Sequence, residues 1–169
     1  FWTDPEIFTD TTEIDADVIA SRLREMAFIN KGLKIIFVNR KNDAGEGFHY
    51  VGGIASYVEF LNANKTALHE KPIYIDKMVD GMQIEVAMQY TGAYSESVLS
   101  FANNINTHSG STHLTGFRSA LTRVFNDYAR KNNILKDSDQ NLSGDDVREG
   151  LTGIVSIKIS NPEFEGQTK

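Results

Sequence analysis

The chain lacks cysteine altogether, so none of its 169 residues can form a disulfide, act as a cysteine nucleophile or supply a thiolate to a metal ion. It also lacks any apolar run approaching the roughly 20 residues that a membrane-spanning helix needs, and no secretory signal precedes the first acidic residues. These absences suit a reducing compartment, and we expect a cytoplasmic protein. The sequence begins at Phe1 rather than at methionine, from which we expect a piece of a longer chain.

An excess of positive charge is also missing. The chain carries 17 Lys and Arg residues against 23 Asp and Glu residues, a net charge of −6. Domains that bind nucleic acid over their whole surface usually carry a basic excess that neutralises phosphates, so a general nucleic-acid binder is not expected. A local basic patch remains compatible with this total. The sequence contains no Gly-x-x-x-x-Gly-Lys, Gly-x-Gly-x-x-Gly or Gly-x-Ser-x-Gly motif, and no complete active site is expected within it.

Helical and strand patterns alternate along the chain, which predicts an α+β fold with a sheet and helices on one face. A Ser/Thr-x-x-acid start signal at residues 12–15 and the apolar spacing after it predict a helix over about 15–30. A hairpin is expected from residues 33–38 and 48–51, with a polar connection between them. The apolar positions of residues 54–61 fall on one face of a second helix.

The middle of the chain is typical of an antiparallel sheet. Strands are predicted over 73–79 and 82–89, and the Asp-Gly pair at 80–81 between them favours a two-residue hairpin turn. A third strand over about 95–101 is expected to continue this meander. The last strand is predicted over 154–159.

A long helix is predicted between residue 112 and about 131. Its apolar residues fall within one arc of about 100° and are expected to face the core: Leu114, Phe117, Leu121, Val124, Phe125 and Tyr128. Arg118 lies at the edge of this arc, where a guanidinium can lay its stem on apolar surface and offer its fork to a phosphate. Arg118 is therefore a candidate phosphate-binding residue. Arg123 and Arg130 lie on the opposite side and are expected to be solvated.

Other polar residues are weaker candidates. His108 and His113 are five residues apart, and no further metal ligands converge on them, so no metal site is predicted. Asp145 and Asp146 follow Ser143 at a spacing that favours capping of a short helix over a catalytic acid pair.

Several stretches of the sequence resemble the family of bacterial DNA gyrase B proteins, the ATPase subunits of a type IIA topoisomerase, and together they cover essentially the whole chain. They are residues 94–107, Thr112-His113, 116–123, 144–152, 164–169, 1–8 and 24–33. The matching part of the family is the transducer domain, so the resemblance assigns residues 1–169 to that single domain and leaves the ATP-binding domain outside. It implies a two-layer α+β fold shared with a domain of a small-subunit ribosomal protein, with a left-handed β-α-β crossover.

The same resemblance implies a function. The transducer domain relays ATP binding and hydrolysis to DNA strand passage during ATP-dependent negative supercoiling. Carried over by motif, Gln167 and Lys169 would contact the γ-phosphate, and Lys169 would be catalytic because it stabilises negative charge during phosphoryl transfer. Arg118 would line the cavity between two gyrase B chains through which a DNA duplex passes. ATP with Mg²⁺ is implied for the intact protein, with no cofactor or metal for this piece alone.

Implied partners are the ATP-binding domain of the same protein, a second copy of gyrase B, the gyrase A protein and a DNA duplex, without a membrane.

One departure from the family pattern is Ser111, which stands where the family usually has glycine. Two alternatives stay open: the same domain in the ATPase protein of topoisomerase IV, and a free-standing nucleic-acid-binding module. The Asn-Asn-Ile-Asn-Thr run at 103–107 favours gyrase.

Overall fold

The computed structural model of the protein describes residues 4–108 and 110–164. The helices in this part are α1 (Ala16–Ile29), α2 (Ile54–Leu61), α3 (Thr112–Lys131) and α4 (Gly144–Arg148). The strands are β1 (Lys34–Asn39), β2 (Ala44–His49), β3 (Ile73–Val79), β4 (Met82–Tyr90), β5 (Ser97–Ala102), β6 (Ile105–Asn106) and β7 (Leu151–Lys158). None of the described helices is long and apolar enough to cross a membrane.

The strands form two sheets. β1 and β2 make an antiparallel hairpin, and the other five strands lie in the order β3-β4-β7-β5-β6. β7 is antiparallel to β4 and parallel to β5. The prediction that the third strand continues the meander is therefore wrong, because β7 separates β4 from β5. Seven consecutive residues of β7 are buried, as a strand at the centre of a sheet covered on both faces requires.

The α+β class is confirmed, but the helices lie on both faces of the sheet rather than on one. Ala87 and Ile154 pack with α1 and α2, whereas the neighbouring residues Met88 and Val155 pack with α3 or α4. Since successive side chains of a strand point to opposite faces, these contacts place α3 across the sheet from α1 and α2. Cover on both faces accounts for the runs of consecutive buried residues in these strands, Glu85–Gln89 in β4 and Leu151–Ile157 in β7.

The parallel pair β5–β7 is connected through α3 and α4. Parallel neighbours need such a crossover, and this unit is the β-α-β arrangement that the family resemblance implies. The handedness of the crossover stays a prediction.

Local sequence signals account for most of the element boundaries. Asp15 caps α1 by accepting hydrogen bonds from the amides of Asp17, at 2.9 Å, and Val18, at 3.3 Å. The Asp80-Gly81 turn is confirmed, since both residues have positive φ, 51° and 77°. Residues 45–47, predicted as a connection, belong to β2 instead, because their backbones pair with β1.

Candidate phosphate-binding groove

A groove of about 660 Å³ runs along the flank of α3, between this helix and α4. Three arginines and several hydroxyl-bearing side chains contribute to its wall: Arg118, Arg123, Arg148, Thr115, Ser119 and Thr122. Arginine forks and hydroxyl donors are the groups that proteins place against phosphate oxygens. Asp127 is the one acidic residue among the described lining residues. The groove is therefore a candidate anion-binding surface in a chain that is acidic overall.

Arg118, the candidate phosphate-binding residue, lies on this groove. Its Nε donates a 2.8 Å hydrogen bond to Oε1 of Glu96, and its side chain keeps 39% of its surface exposed. The two Nη atoms make no hydrogen bond within the described part of the chain. Arg118 thus retains free donor capacity towards solvent.

Glu96 also binds a second arginine. Its Oε2 accepts a 3.0 Å hydrogen bond from Nε of Arg148, and Nη2 of Arg148 donates to Asp145 at 3.0 Å. Arg148 is better covered than Arg118, with 17% of its side chain exposed. Glu96 therefore stands between two guanidinium groups, one from α3 and one from the end of α4. Sequence reasoning missed this role of Glu96 and Arg148, because they lie 52 positions apart and neither belongs to a spacing motif.

One set of hydrogen bonds ties the segment before α4 to α3, and a second set caps α4. Asn126 is buried on α3, and its side chain binds both backbone groups of Leu142, at 2.8 and 3.0 Å. Ser143 and Asp146 form a capping box, as the sequence predicted, with bonds of 2.7 and 3.2 Å. The hydrogen bonds from the Ser143 hydroxyl and backbone lower the pKa of the Asp146 carboxyl.

Arg130 differs from its predicted solvated state. Its guanidinium donates to the carbonyls of Lys136 and Asp139, each at 2.9 Å, and to the side chain of Asn141. Arg130 therefore holds the loop after α3 in place. Arg123 is exposed, as expected.

The apolar stripe of α3 faces the core only over its first half. Leu114 and Leu121 are buried, and Phe117 packs against them in part. By contrast, exposed fractions are 58% for Val124, 39% for Phe125 and 62% for Tyr128. The prediction for these three residues is wrong because the buried side of the second half of the helix carries Asn126 and Ala129 instead.

Ser111, which stands where the family usually has glycine, lies at the start of α3. This serine is in an extended conformation, φ −162°, and its hydroxyl caps α3 by accepting from the amide of Leu114. It therefore occupies its position without the strain that a positive φ would cause, whereas its neighbour Gly110 has φ 94°. The Ser111 hydroxyl also lies 3.2 Å from Nε2 of His113, whose pKa is lowered by burial.

Gln167 and Lys169 lie outside the described residues, so their candidate roles stay predictions. The last described residue, Phe164, lines a cavity of about 240 Å³ together with Ser111 and His113. The described tail therefore passes beside the first turn of α3. Within the described part of the chain, no three His, Asp or Glu side chains are grouped so that they could hold a metal ion.

Comparison with known proteins relates this chain to a known family. The model of the family described as DNA gyrase B matches residues 53–169. The B subunit of DNA gyrase from Streptococcus pyogenes is 58% identical over all of this chain, which spans 26% of that protein. The chain therefore covers about a quarter of this relative's length.

Solved structures show the same fold. The 43K ATPase domain of Thermus thermophilus gyrase B matches with a TM-score of 0.82 and 40% identity, over 96% of this chain and 44% of that one. The topoisomerase IV ATP-binding domain of Francisella tularensis matches with a TM-score of 0.76 over 95% of this chain and 42% of that one, at 22% identity, which shows the fold alone. From the family match and the identity to gyrase relatives along its whole length, this chain belongs to the DNA gyrase B family.

Proposed function

We propose that this chain is the transducer domain of a DNA gyrase B protein and relays ATP binding and hydrolysis to DNA strand passage in negative supercoiling. The observation that carries the proposal is the half-exposed Arg118 on a basic groove, within the stretch that matches the DNA gyrase B family. Residues 1–52 lie outside that match, although α1 packs on the same sheet through Phe28 and Ile29. We assign residues 1–169 to one domain on the strength of this shared core.

The ATP-facing part of the proposal concerns Gln167 and Lys169. An amide and an ammonium two residues apart offer N–H donors and positive charge towards an anionic γ-phosphate, so this donor set fits ATP. Bound with Mg²⁺ in the intact protein, ATP supplies the phosphoryl group that is transferred to water. Lys169 stabilises the negative charge that develops during this transfer, and Gln167 orients the phosphate.

Replacing Lys169 by Ala in the full-length protein tests this role. Loss of a single charge-stabilising group at a transferring phosphate typically lowers turnover by about 100- to 1000-fold. Steady-state ATP hydrolysis measures the effect, and circular dichroism checks that the variant folds. Glu163→Gln, a change in the same tail, is the matched control. ATP turnover of Lys169→Ala within about twofold of the parent would remove Lys169 from the catalytic site.

The DNA-facing part concerns Arg118. In intact gyrase, we place a DNA duplex against the groove, where the arginine attracts backbone phosphates without reading bases, as a passage through a cavity requires. Arg118→Gln should therefore reduce DNA-stimulated ATP turnover more than turnover without DNA. Arg40→Gln removes the same charge from an exposed turn far from the groove in sequence and serves as control. Equal loss of both rates in Arg118→Gln would indicate a structural arginine.

The intact assembly in this proposal contains the ATP-binding domain of the same protein, a second copy of gyrase B, the gyrase A protein and DNA, and it acts in the cytoplasm. Gyrase rather than topoisomerase IV is favoured by the 58% identity to a relative that is itself a DNA gyrase protein. Reconstituting full-length gyrase B with gyrase A separates the two. Negative supercoiling of relaxed DNA is the expected activity, and decatenation without supercoiling would favour the topoisomerase IV alternative.

A further inference from the structure

The second ion pair of Glu96 has a consequence for DNA binding by Arg118. Each oxygen of the Glu96 carboxylate accepts from a different arginine, at 2.8 Å from Arg118 and 3.0 Å from Arg148. Carboxylate and phosphate occupy the same face of a guanidinium fork with the same geometry. Glu96 therefore occupies the Nε position of Arg118 that a phosphate oxygen would use.

Arg118 can begin to bind an anion before Glu96 leaves. Its Nη atoms make no hydrogen bond within the described residues, and its side chain is 39% exposed on the groove. A phosphate arriving from the groove can bind this free end first and then replace Glu96 at Nε. The hydroxyl of Ser119 lines the same wall and can donate to one of its remaining oxygens, whereas the Thr115 hydroxyl already donates to the carbonyl of Ser111 at 3.1 Å.

Glu96 keeps a partner when it loses Arg118. Arg148 lies at 3.0 Å and is only 17% exposed, so the displaced carboxylate stays paired with a well-covered guanidinium. This second partner matters because breaking a partly buried pair is costly chiefly when one charge is left alone. The phosphate therefore replaces Glu96 at Arg118 without leaving the Glu96 carboxylate unpaired.

We propose that Glu96 is an internal competitor for Arg118, which it holds in the absence of DNA and releases when a DNA phosphate binds, while keeping its bond to Arg148. The proposal rests on the proposed function, because it assumes that Arg118 meets DNA. It adds that, before DNA binds, Glu96 offsets part of the positive charge that Arg118 and Arg148 bring to the groove. Glu96 thereby sets the threshold at which gyrase responds to DNA.

The test measures the concentration of linear duplex DNA that gives half-maximal stimulation of ATP turnover by the full-length protein. Glu96→Gln and Glu96→Ala both remove the competing charge. Exposed ion pairs are weak, so the expected fall in the half-maximal DNA concentration is about two- to fivefold. Glu70→Gln makes the same charge change at an exposed site and should leave the value unchanged.

A double-variant cycle shows whether Glu96 acts through Arg118. In the Arg118→Gln background, Glu96→Gln should have no further effect on the half-maximal DNA concentration. An increased or unchanged value in the single Glu96 variants, with folding intact by circular dichroism, overturns the competitor role. If Arg118→Gln itself leaves DNA stimulation intact, the proposed function of Arg118 fails first, and the two failures are thereby distinguished.

Discussion

Gly150 is the position where adding one methyl group should do the most damage. It has φ +70° and lies between α4 and β7. A Cβ at this residue would lie 2.3 Å from the carbonyl oxygen of Thr91 and 2.8 Å from that of Ala93. Both are backbone atoms and cannot rotate away. The carbonyl of Gly150 also accepts from the Thr91 amide, at 2.9 Å, and from its hydroxyl, at 3.1 Å.

The cost of Gly150→Ala follows from these contacts. A left-handed backbone costs a non-glycine residue about 1–2 kcal/mol. To relieve the clash, residue 150 must also move away from the backbone that follows β4. This movement weakens the two hydrogen bonds from Thr91, each of which contributes about 0.5–1.5 kcal/mol. Together these terms lower the free energy of unfolding by about 2–5 kcal/mol. For a chain of this size, this corresponds to a fall in Tm of about 5–20 °C.

Two further glycines distinguish the cost of the left-handed backbone from the cost of the steric clash. Gly81 has φ +77° but no heavy atom within 4 Å of its added Cβ, so Gly81→Ala carries only the backbone cost of about 1–2 kcal/mol. Gly92 has open space and no positive φ, so Gly92→Ala should change stability by less than about 0.5 kcal/mol. Thermal and urea unfolding of all three variants, followed by circular dichroism, give the values. The reasoning is refuted if Gly150→Ala is no more destabilising than Gly81→Ala.

Two other predictions concern a buried asparagine and a partly buried histidine. Asn62→Leu should lower the free energy of unfolding by about 2–4 kcal/mol, because it removes the 2.9 Å bond to Gln89 and the 2.7 Å bond from Thr152, and both partners are buried. Urea unfolding measures this loss. Asn64→Leu, at an exposed site, is the control, and a loss in Asn62→Leu no greater than in Asn64→Leu would contradict the prediction. Burial lowers the pKa of His113, so the unfolded chain binds more protons just below about pH 6.5, and stability should fall as pH drops through this range towards the folded pKa. His113→Gln should flatten this part of the stability profile, and an identical profile in both proteins would exclude the effect.

The sequence was sufficient wherever structure depends on a few neighbouring residues. An Asp-Gly pair between two strands favours a two-residue hairpin turn, and Asp80-Gly81 forms this turn as predicted. The capping box of Ser143 and Asp146 is likewise a relation between residues three apart. The helix predicted over 15–30 was confirmed in its bounds, although the acid of the predicted start signal, Asp15, is itself the N-cap.

Strand order depends on contacts between distant residues, and there the sequence was insufficient. β5 follows β4 in the chain and has the composition of a meander strand, yet it pairs with β7, which begins at Leu151. The alternating pattern of β4 predicted helices on one face, but Glu85 and Gln89 on its polar face are also buried. The stripe of α3 shows the same limit, because Phe125 and Tyr128 have core periodicity but stay exposed, and the buried residues in this half of the helix are Asn126 and Ala129.

The candidate site was predicted only in part. The position of Arg118 at the edge of an apolar arc indicated a solvent-facing guanidinium, and the structure places it on a groove. Its partner Glu96 lies 22 residues earlier, ahead of β5, and Arg148 lies at the end of another helix. Only the folded sheet brings Glu96 and Arg148 together, because the parallel pairing of β5 with β7 places the residues that precede the two strands at the same end of the sheet.

The central position of β7 also has a consequence for synthesis on the ribosome. β4 and β5 are both made before the strand that joins them, and roughly 50 residues separate the end of β5 from the start of β7. At about 5–20 residues per second, the nascent chain waits about 3–10 s with these two strand edges unpaired. Unpaired edges recruit other strands, so this interval is when the chain is most open to aggregation and to protection by a chaperone.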